Sequence, residues 1–254
     1  MSLRVRAFTC GWLTAPLGAF LRDAEGELRA PVPSYLIEHP KGRVLFDTGL
    51  HPDTQRDPVG RLGEGVTRVF QVAFRPGEEI SGRLEEVGLA PGDVDVVVNS
   101  HLHFDHAGGN ALLPDARVVV QRREWEAGSD PDLRARNFFE THDYDHGHDV
   151  LEVDGEHDLF GDGSVVCVPT YGHTPGHQSL RLALPDGPVL LAADACYLRR
   201  TLDDLHLPPV AADPEAMRAT LLRLRELEAK GVRIFPGHDP EFWSGVPQAP
   251  APIR

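Results

Sequence analysis

Short apolar runs separated by glycine, proline and aspartate dominate the sequence, and most of them have the character of β-strands. The runs at 34–38 and 44–46 flank the turn-like segment 39–42, which predicts a β-hairpin. Residues 164–168 and 178–182 alternate between apolar and polar positions, as half-buried strands do. Further strands are predicted at 94–98, 118–120, 188–192 and 232–235.

Helical periodicity is rarer and is clearest near the C-terminal end. The stretch 215–230 places its apolar residues on one helical face, and Asp213 followed by Pro214 is typical of an N-cap and a first helical position. A shorter helix is predicted at 80–87. Loops are predicted at 52–65 and from Pro247 onward. Because strands and helices mix along the whole chain, the pattern favours two layers of sheet with helices outside.

The bulk composition is acidic. The chain has 254 residues, with 39 acidic and 25 basic side chains and a formal net charge of −14 at pH 7. A length of this order suits one domain, expected over 1–254 with loose ends at 1–3 and 247–254. Binding to a polyanion relies on clustered basic side chains, which this composition does not supply, so nucleic acid is not an expected partner.

The sequence carries no sign of a membrane or secreted protein. No apolar run approaches the roughly 20 residues that span a bilayer, and the first residues lack the pattern of a signal peptide. Only three cysteines are present, with no C-x-x-C spacing: Cys10, Cys167 and Cys196. We therefore expect buried thiols in a reducing compartment, the cytoplasm, and no membrane partner.

The densest cluster of chemically active side chains lies in Ser100-His-Leu-His-Phe-Asp-His-Ala-Gly-Gly109, directly after a predicted strand. A lone histidine is usually a satisfied polar or core residue, but clustered imidazole and carboxylate groups suit zinc and similar divalent ions. In an extended or loop conformation His101 and His103 point to the same side and can share one ion. Asp105 and His106 can then serve a second ion nearby.

Three further potential ligands, His173, Asp194 and His238, each lie just past the end of a predicted strand. Glycine and proline near His173 and His238 allow the backbone to turn sharply there. Loops at one end of a rigid scaffold are where functional sites usually lie. These residues are therefore candidate partners of the first cluster.

The order His-x-His-x-Asp-His, followed by a downstream His, Asp and His, resembles the metallo-β-lactamase superfamily from Asp47-Thr-Gly49 to His238, which is nearly the whole chain. The stretches 100–110, 172–180 and 237–239 also resemble the N-acyl-homoserine lactone lactonases, the quorum-quenching enzymes. The motif is highly specific for fold and metal and much less specific for substrate. The resemblance implies an α/β fold, the αββα sandwich of two mixed β-sheets packed face to face with helices on both outer faces.

By position, the resemblance also implies two divalent metal ions, zinc in the first place, with iron, manganese or cobalt as alternatives. The implied ligands are His101, His103 and His173 for one ion, Asp105, His106 and His238 for the other, and Asp194 as the bridge. An aspartate at the bridging position, rather than a cysteine, resembles the hydrolases with two full metal sites.

Other residues near the motifs have subordinate expected roles. Asp47 resembles the aspartate that orients a ligand histidine in this superfamily. His177 is expected to be structural or to support a ligand. Cys196 lies two residues beyond Asp194 and could face the same side, although a buried thiol is its ordinary interpretation.

Tyr197 is the sharpest indication of the substrate. It stands three residues after Asp194, and the lactonases that the chain resembles carry a tyrosine there whose hydroxyl meets the lactone carbonyl. A half-buried aromatic with a solvated hydroxyl is the alternative interpretation. The hypothesis is a dinuclear zinc hydrolase that opens the ring of an N-acyl-homoserine lactone, or a similar lactone or ester, by attack of a metal-bridging hydroxide. Tyr197 would polarise the carbonyl oxygen, and Asp105 would pass a proton to the leaving alkoxide.

Several alternatives remain open. The main one is another hydrolase on the same scaffold: a thioesterase of the glyoxalase II type, a phosphotriesterase or a β-lactamase. A diiron flavoprotein would carry glutamate where this chain has His103, a nuclease would add a basic arm, and a binding module would have lost part of the ligand set. The oligomeric state, monomer or homodimer, is also open.

The substrate pocket itself has no clear signature. The segment 51–75 matches no pattern, and the histidine-rich segment 142–148 is expected to be an exposed polar loop near the cleft. Four aromatic residues are candidates for an acyl pocket, with core packing as the alternative: Trp12, Phe20, Phe70 and Phe74.

Overall fold

Two β-sheets form the centre of the computed structural model, which describes residues 3–254. The strands are β1 Arg4–Pro16, β2 Glu27–His39, β3 Gly42–Phe46, β4 Gln71–Ala73, β5 Val96–Val98, β6 Arg117–Gln121, β7 Val150–Val153, β8 His157–Asp158, β9 Val165–Pro169, β10 Gln178–Leu184, β11 Gly187–Ala193 and β12 Arg233–Pro236. The helices are α1 Pro58–Val69, α2 Ile80–Glu85, α3 Arg122–Ser129, α4 Pro131–Arg136, α5 Thr141–Tyr144, α6 Arg199–Asp204, α7 Pro214–Ala229 and α8 Pro240–Ser244. Short 3₁₀ turns lie at Leu17–Ala19, Pro52–Gln55, Pro91–Asp93 and Asn110–Leu112.

Both sheets are mixed. The first has the order β4-β1-β2-β3-β5-β6-β7, antiparallel from β4 to β3 and parallel from β3 to β7. The second has the order β12-β11-β10-β9-β8, and only β11 and β12 in it pair in parallel. Parallel neighbours bring their carboxyl ends to the same edge, which decides where the loops after these strands meet.

The two sheets pack face to face around one apolar layer. Alternation along each strand sends Tyr35 and Ile37 of β2 into this layer and Leu36 to the outer face. In β11, Leu191 likewise points inward and Leu190 outward. Because each such side chain contributes about 1.5–3 kcal/mol on full burial, the alternation fixes which face of each strand turns inward.

Helices cover both outer faces. Ile80 and Leu84 of α2 are fully buried against the outer side of the first sheet. Leu221 and Leu224 of α7 are fully buried against the outer side of the second. The αββα fold class predicted from the sequence is therefore confirmed. Between residues 3 and 254, no helix is both long and apolar enough to cross a membrane.

Most elements with a clear periodicity lie where the sequence predicts them. The expected hairpin is β2 and β3, paired antiparallel with His39 opposite Gly42. The helix predicted near the C-terminal end is α7, and the Asp213 side chain caps it by accepting a hydrogen bond from Ala216 N. Pro214 occupies the first helical position, as expected.

The loop predicted at 52–65 is wrong. Pro52–Gln55 is a 3₁₀ turn, and α1 follows after Asp57, whose side chain accepts from Gly60 N. The helix bends at Gly63, which has φ of 80°. Three glycines and few apolar residues hide the helical period, but Asp57 followed by Pro58 is the same start signal that identified α7.

The loose C-terminal end predicted at 247–254 is also wrong. Ala249 N donates to Ala7 O at 2.9 Å, and Ile253 N donates to Val5 O at 2.8 Å. Ile253 is buried in the layer between the sheets, so apolar burial and backbone pairing hold this segment against β1. The loose start predicted at 1–3 falls outside the described residues except for Leu3, which is buried.

Candidate metal centre

The predicted metal ligands follow strands that end at one edge of the sandwich. In the first sheet β3 and β5 run parallel, and the His101–His106 segment begins three residues after β5. In the second sheet β9, β11 and β12 share one direction, and they are followed by His173, Asp194 and His238 respectively. The topology therefore brings segments that are distant in sequence to one place.

One group consists of His101, His103 and His173, with Asp194 beside them. His101 Nε2 lies 2.8 Å from His103 Nδ1, and His173 Nε2 lies 3.2 and 3.1 Å from these two nitrogens. Asp194 Oδ2 lies 3.3 Å from His173 Nε2 and 3.7 Å from His101 Nε2. Three imidazole nitrogens and a carboxylate oxygen thus surround one small volume.

The second group consists of Asp105, His106 and His238. Asp105 Oδ2 lies 3.7 Å from the Nε2 atoms of both histidines. The other oxygen of Asp194, Oδ1, lies 3.2 Å from His106 Nε2 and 3.0 Å from His238 Nε2. Asp194 therefore turns one oxygen toward each group, which is the arrangement that a bridging carboxylate needs.

Hydrogen bonds on the far side of the rings determine which nitrogen faces the centre. His103 Nε2 donates to Asn137 O at 2.8 Å, so its Nδ1 carries the free lone pair. The Ser100 hydroxyl donates to Asp47 and therefore accepts from His101 Nδ1, which leaves His101 Nε2 as a lone pair. Burial lowers the pKa of His101 far below its ordinary value, so this ring is neutral. Two lone pairs face each other, and only a cation between them makes this arrangement favourable.

The second group also lacks a positive charge that would balance its buried polar atoms. His106 Nε2 and Asp194 Oδ1 are buried, and although they lie 3.2 Å apart, their contact lacks hydrogen-bond geometry, so among the described residues neither atom has a hydrogen-bond partner. Burial disfavours the charged form of His106, but the carboxylates of Asp194, Asp105 and Asp47 outweigh it and raise the pKa of His106 well above its ordinary value. Buried polar atoms without partners are costly. Nitrogen and carboxylate ligands of this kind therefore fit two divalent metal ions.

Asp47 supports the centre through hydrogen bonds to Ser100 and His106. It is 3% exposed, and its carboxylate accepts from Ser100 N at 2.7 Å, Ser100 Oγ at 2.8 Å and His106 Nδ1 at 2.8 Å. It adopts φ of 58°, a left-handed conformation that aspartate tolerates better than most residues. The structure thus places Asp47 where the sequence predicts it, orienting a histidine of the metal centre.

Tyr197 lies beside the two ligand groups, against His173 and His238. Its hydroxyl is 3.3 Å from His173 Nδ1, and its ring packs edge-on against Phe20 with centroids 5.5 Å apart. Burial, together with the negative charges of Asp194 and Asp105, raises the pKa of Tyr197 well above its ordinary value. The hydroxyl therefore stays protonated and can donate a hydrogen bond.

The aromatic candidates divide into two pairs. Phe20 also contacts His238, with ring centroids 6.0 Å apart, and Phe70 contacts Phe20 at 6.1 Å. Phe74 is buried in the outer core of the first sheet, and Trp12 stacks under Arg29. Only Phe20 and Phe70 of the four belong to the aromatic cluster beside the centre.

Two further candidates do not join the ligand groups. Cys196 is buried, and its Sγ donates to Leu198 O at 3.3 Å. His177 packs beside His101, while its Nδ1 bonds the Thr170 hydroxyl at 2.8 Å. His177 thus supports the loop from within, as the sequence suggests.

The exposed loop predicted at 142–148 is wrong in part. Asp143 and Tyr144 are buried, and Arg61 of α1 bonds Asp143 Oδ1 at 2.5 Å. This buried ion pair connects α1 to α5. Leu133 and Phe138, which lie close by in sequence, are exposed instead.

Several groups that hold or adjoin the centre were not predicted from the sequence. His238 Nδ1 donates to Pro31 O at 2.8 Å, and His103 donates to the carbonyl of Asn137. Backbone carbonyls carry no residue identity, so no sequence signal reveals them. Phe104, inside the histidine motif, contacts Phe70 with ring centroids 6.2 Å apart, and its position beside Asp105 was an available signal.

This fold and site define a metal-dependent member of a known superfamily. The chain belongs to the metallo-beta-lactamase superfamily, whose family model matches residues 29–238. The matched segment contains all seven predicted ligands.

The named relatives point to a narrower group within this superfamily. The chain is 37% identical over 227 residues to N-acyl homoserine lactonase AttM of Azorhizobium caulinodans, which covers 87% of this chain and 86% of that protein. It is 34% identical over 218 residues to N-acyl homoserine lactonase AiiA of Bacillus thuringiensis subsp. kurstaki, covering 84% and 83%. The structure of an N-acyl homoserine lactone hydrolase with N-hexanoyl-L-homoserine at its catalytic metal centre matches with a TM-score of 0.89 and 29% identity, covering 100% of both chains.

Proposed function

We propose that this protein hydrolyses the lactone ring of N-acyl-homoserine lactones. The observation that carries the proposal is the position of Tyr197, a protonated hydroxyl donor 3.3 Å from His173, in a chain similar to named lactonases over most of its length. A donor at this place suits a carbonyl oxygen that gains negative charge during attack.

The seven converging side chains are proposed to hold two zinc ions. His101, His103 and His173 would hold one, Asp105, His106 and His238 the other, and Asp194 both. Neutral imidazoles and carboxylates are ordinary zinc ligands. When bound, two such ions supply activated water at neutral pH and stabilise the charge that develops in the transition state.

Two side chains have roles of their own in the reaction. Tyr197 donates its hydroxyl proton in a hydrogen bond to the lactone carbonyl oxygen and keeps that proton throughout. Asp105, on the side of His106 and His238, accepts a proton released by the attacking water and passes it to the leaving alkoxide oxygen. The ring opens to a carboxylic acid and an alcohol, with no covalent bond to the protein, and at neutral pH the acid releases its proton to solvent to give the carboxylate.

The aromatic cluster formed by Phe20, Phe70 and Phe104 is proposed to contact the acyl chain. Phe20 packs against Tyr197 and His238, so the cluster adjoins the place where the lactone carbonyl would lie. Removing an acyl chain from water against such a surface is favourable at about 25 cal/mol per Å². Hydrolysis of such signals would make this a quorum-quenching enzyme, and its buried, free cysteines suit the cytoplasm.

A substrate panel on purified protein of known metal content tests the proposal. N-hexanoyl- and N-decanoyl-homoserine lactone are compared with a thioester, a phosphotriester and a β-lactam. We expect the highest kcat/KM with a homoserine lactone. A higher value for any of the other three classes would reject the substrate assignment in favour of that class.

Tyr197→Phe tests the role of the hydroxyl. Loss of one oxyanion donor is expected to lower lactone kcat/KM on the order of 10²-fold while both metal ions remain bound. Tyr144→Phe is the matched control, because it removes a buried hydroxyl that bonds Gly128 O instead. Equal activity of the Tyr197 variant and the control would remove Tyr197 from the reaction.

A further inference from the structure

Glu124 is a fully buried acid on the first turn of α3, next to the metal centre. Within residues 3–254 no basic side chain forms an ion pair with it. Burial without a cation is unfavourable for a carboxylate, and it raises the pKa of Glu124 to about 7. Such a group requires a compensating set of hydrogen bonds.

Three donors satisfy this carboxylate, and they come from two different loops. Oε1 accepts from Leu102 N at 3.2 Å, and Oε2 accepts from Thr174 Oγ1 at 2.9 Å and from Gly176 N at 2.7 Å. Leu102 lies between His101 and His103, and Thr174 directly follows His173. The two oxygens thus join the segments that supply the three imidazoles of one group.

The loop after His173 packs directly on the start of α3. A Cβ on Gly176 would lie 2.2 Å from Glu124 N and 2.7 Å from its Cα, far inside van der Waals contact. The loop can approach only because residue 176 has no side chain. Contact and hydrogen bonds together fix the distance between the loop and the helix.

We propose that Glu124 is a positioning residue that holds His101, His103 and His173 at the mutual spacing that one metal ion requires. The three ring nitrogens lie within 3.2 Å of one another, and the Glu124 carboxylate is the side chain that bonds both of their loops. This role of Glu124 concerns metal binding and does not depend on the substrate.

The other group rests on different partners. His106 is oriented by the Asp47 carboxylate, and His238 by the carbonyl of Pro31. Glu124 bonds neither of these supports. A change at Glu124 should therefore weaken one metal site and leave the other as it is.

Glu124→Gln is the primary test. An amide has one acceptor oxygen, so its NH₂ group must face Leu102 N or the Gly176 side, and one donor loses its partner. Chelator competition on the metal-loaded protein should remove one zinc ion 10–100-fold more readily and the second at wild-type affinity. Glu126→Gln, which changes an exposed acid on the same helix, is the control.

X-ray absorption identifies which ion is lost. The variant with one zinc ion should show two imidazole ligands, as at the His106 and His238 group, and not three. Thr174→Val is a second variant, which removes the hydrogen bond to Glu124 with little change in volume and should weaken the same zinc ion. Thr174→Ser keeps the hydroxyl and should bind this ion with wild-type affinity. Equal weakening of both ions, or unchanged affinity in both variants, would overturn the proposal.

Discussion

Asp47→Asn should weaken the metal ion that His106 would hold. The Asp47 carboxylate accepts three hydrogen bonds, two from Ser100 and one from His106 Nδ1. Asparagine has nearly the same volume and also tolerates the left-handed backbone at this position, where φ is 58°. The substitution therefore changes the hydrogen bonds and leaves shape and backbone conformation intact.

The expected magnitude follows from these three bonds. If the amide oxygen replaces Oδ1, the NH₂ group faces His106 Nδ1–H and the Ser100 hydroxyl. If it replaces Oδ2, the NH₂ group faces Ser100 N. At least one buried, charge-assisted hydrogen bond is lost in either case, and such bonds are worth about 1.5–3 kcal/mol. Partners of ligand histidines typically change metal affinity 10–100-fold, which is about 1.4–2.8 kcal/mol.

Zinc affinity is measured by competition with a chromophoric chelator, beginning with fully loaded protein. One ion should dissociate 10–100-fold more readily than in the wild type, and X-ray absorption of the remaining ion should report three imidazoles. Asp115→Asn, at an exposed aspartate, is the control. Retention of both ions at wild-type affinity would refute the assigned role of Asp47.

Two further predictions concern stability. Gly176→Ala places a Cβ 2.2 Å from Glu124 N, so the variant should lose about 1–3 kcal/mol or more in thermal denaturation, whereas Gly65→Ala, with open space around it, should not. Burial raises the pKa of Glu124 from 4.5 to about 7, so the folded, chelator-treated protein retains a proton that the unfolded chain releases. The free energy of unfolding should therefore fall as the pH rises from 4.5 to 7 and level off above it, and Glu124→Gln should remove that component. Equal melting temperatures of the two alanine variants would contradict the first prediction. The second prediction is checked by urea denaturation at several pH values, and it would be contradicted if the free energy of unfolding changed with pH equally in the wild type and in Glu124→Gln.

The sequence predicts elements well where one face of a strand or helix is buried. The longest missed element, β1, shows why others escape. Buried and half-buried residues lie on both of its faces, so it has no alternation, and its pairing with β2 shifts between Thr9 and Trp12. A strand buried on both sides, with polar residues and a bulge, has no period-2 pattern to detect.

In the candidate site, the sequence predicts the side chains that would bind metal but few of the groups that orient them. Side chains that would touch metal concentrate in short motifs after strands, because chemistry demands particular residue types at particular spacings. The groups that orient these side chains are not concentrated in such motifs. Asn137 and Pro31 act through backbone carbonyls, and Glu124 is one acid among 39 acidic residues. Only the packed structure shows that this acid is buried between two loops.

The two groups of metal-binding side chains are thus supported by separate carboxylates. Glu124 fixes the loops of His101 and His103 against that of His173, whereas Asp47 fixes His106. Only Asp194 belongs to both groups, through its two oxygens. Asp47 also reaches His101 through the Ser100 hydroxyl, but its direct imidazole partner is His106, so changes at the two supports should act mainly on different ions. A change at Asp194 must act on both ions together, because no second carboxylate replaces the bridge.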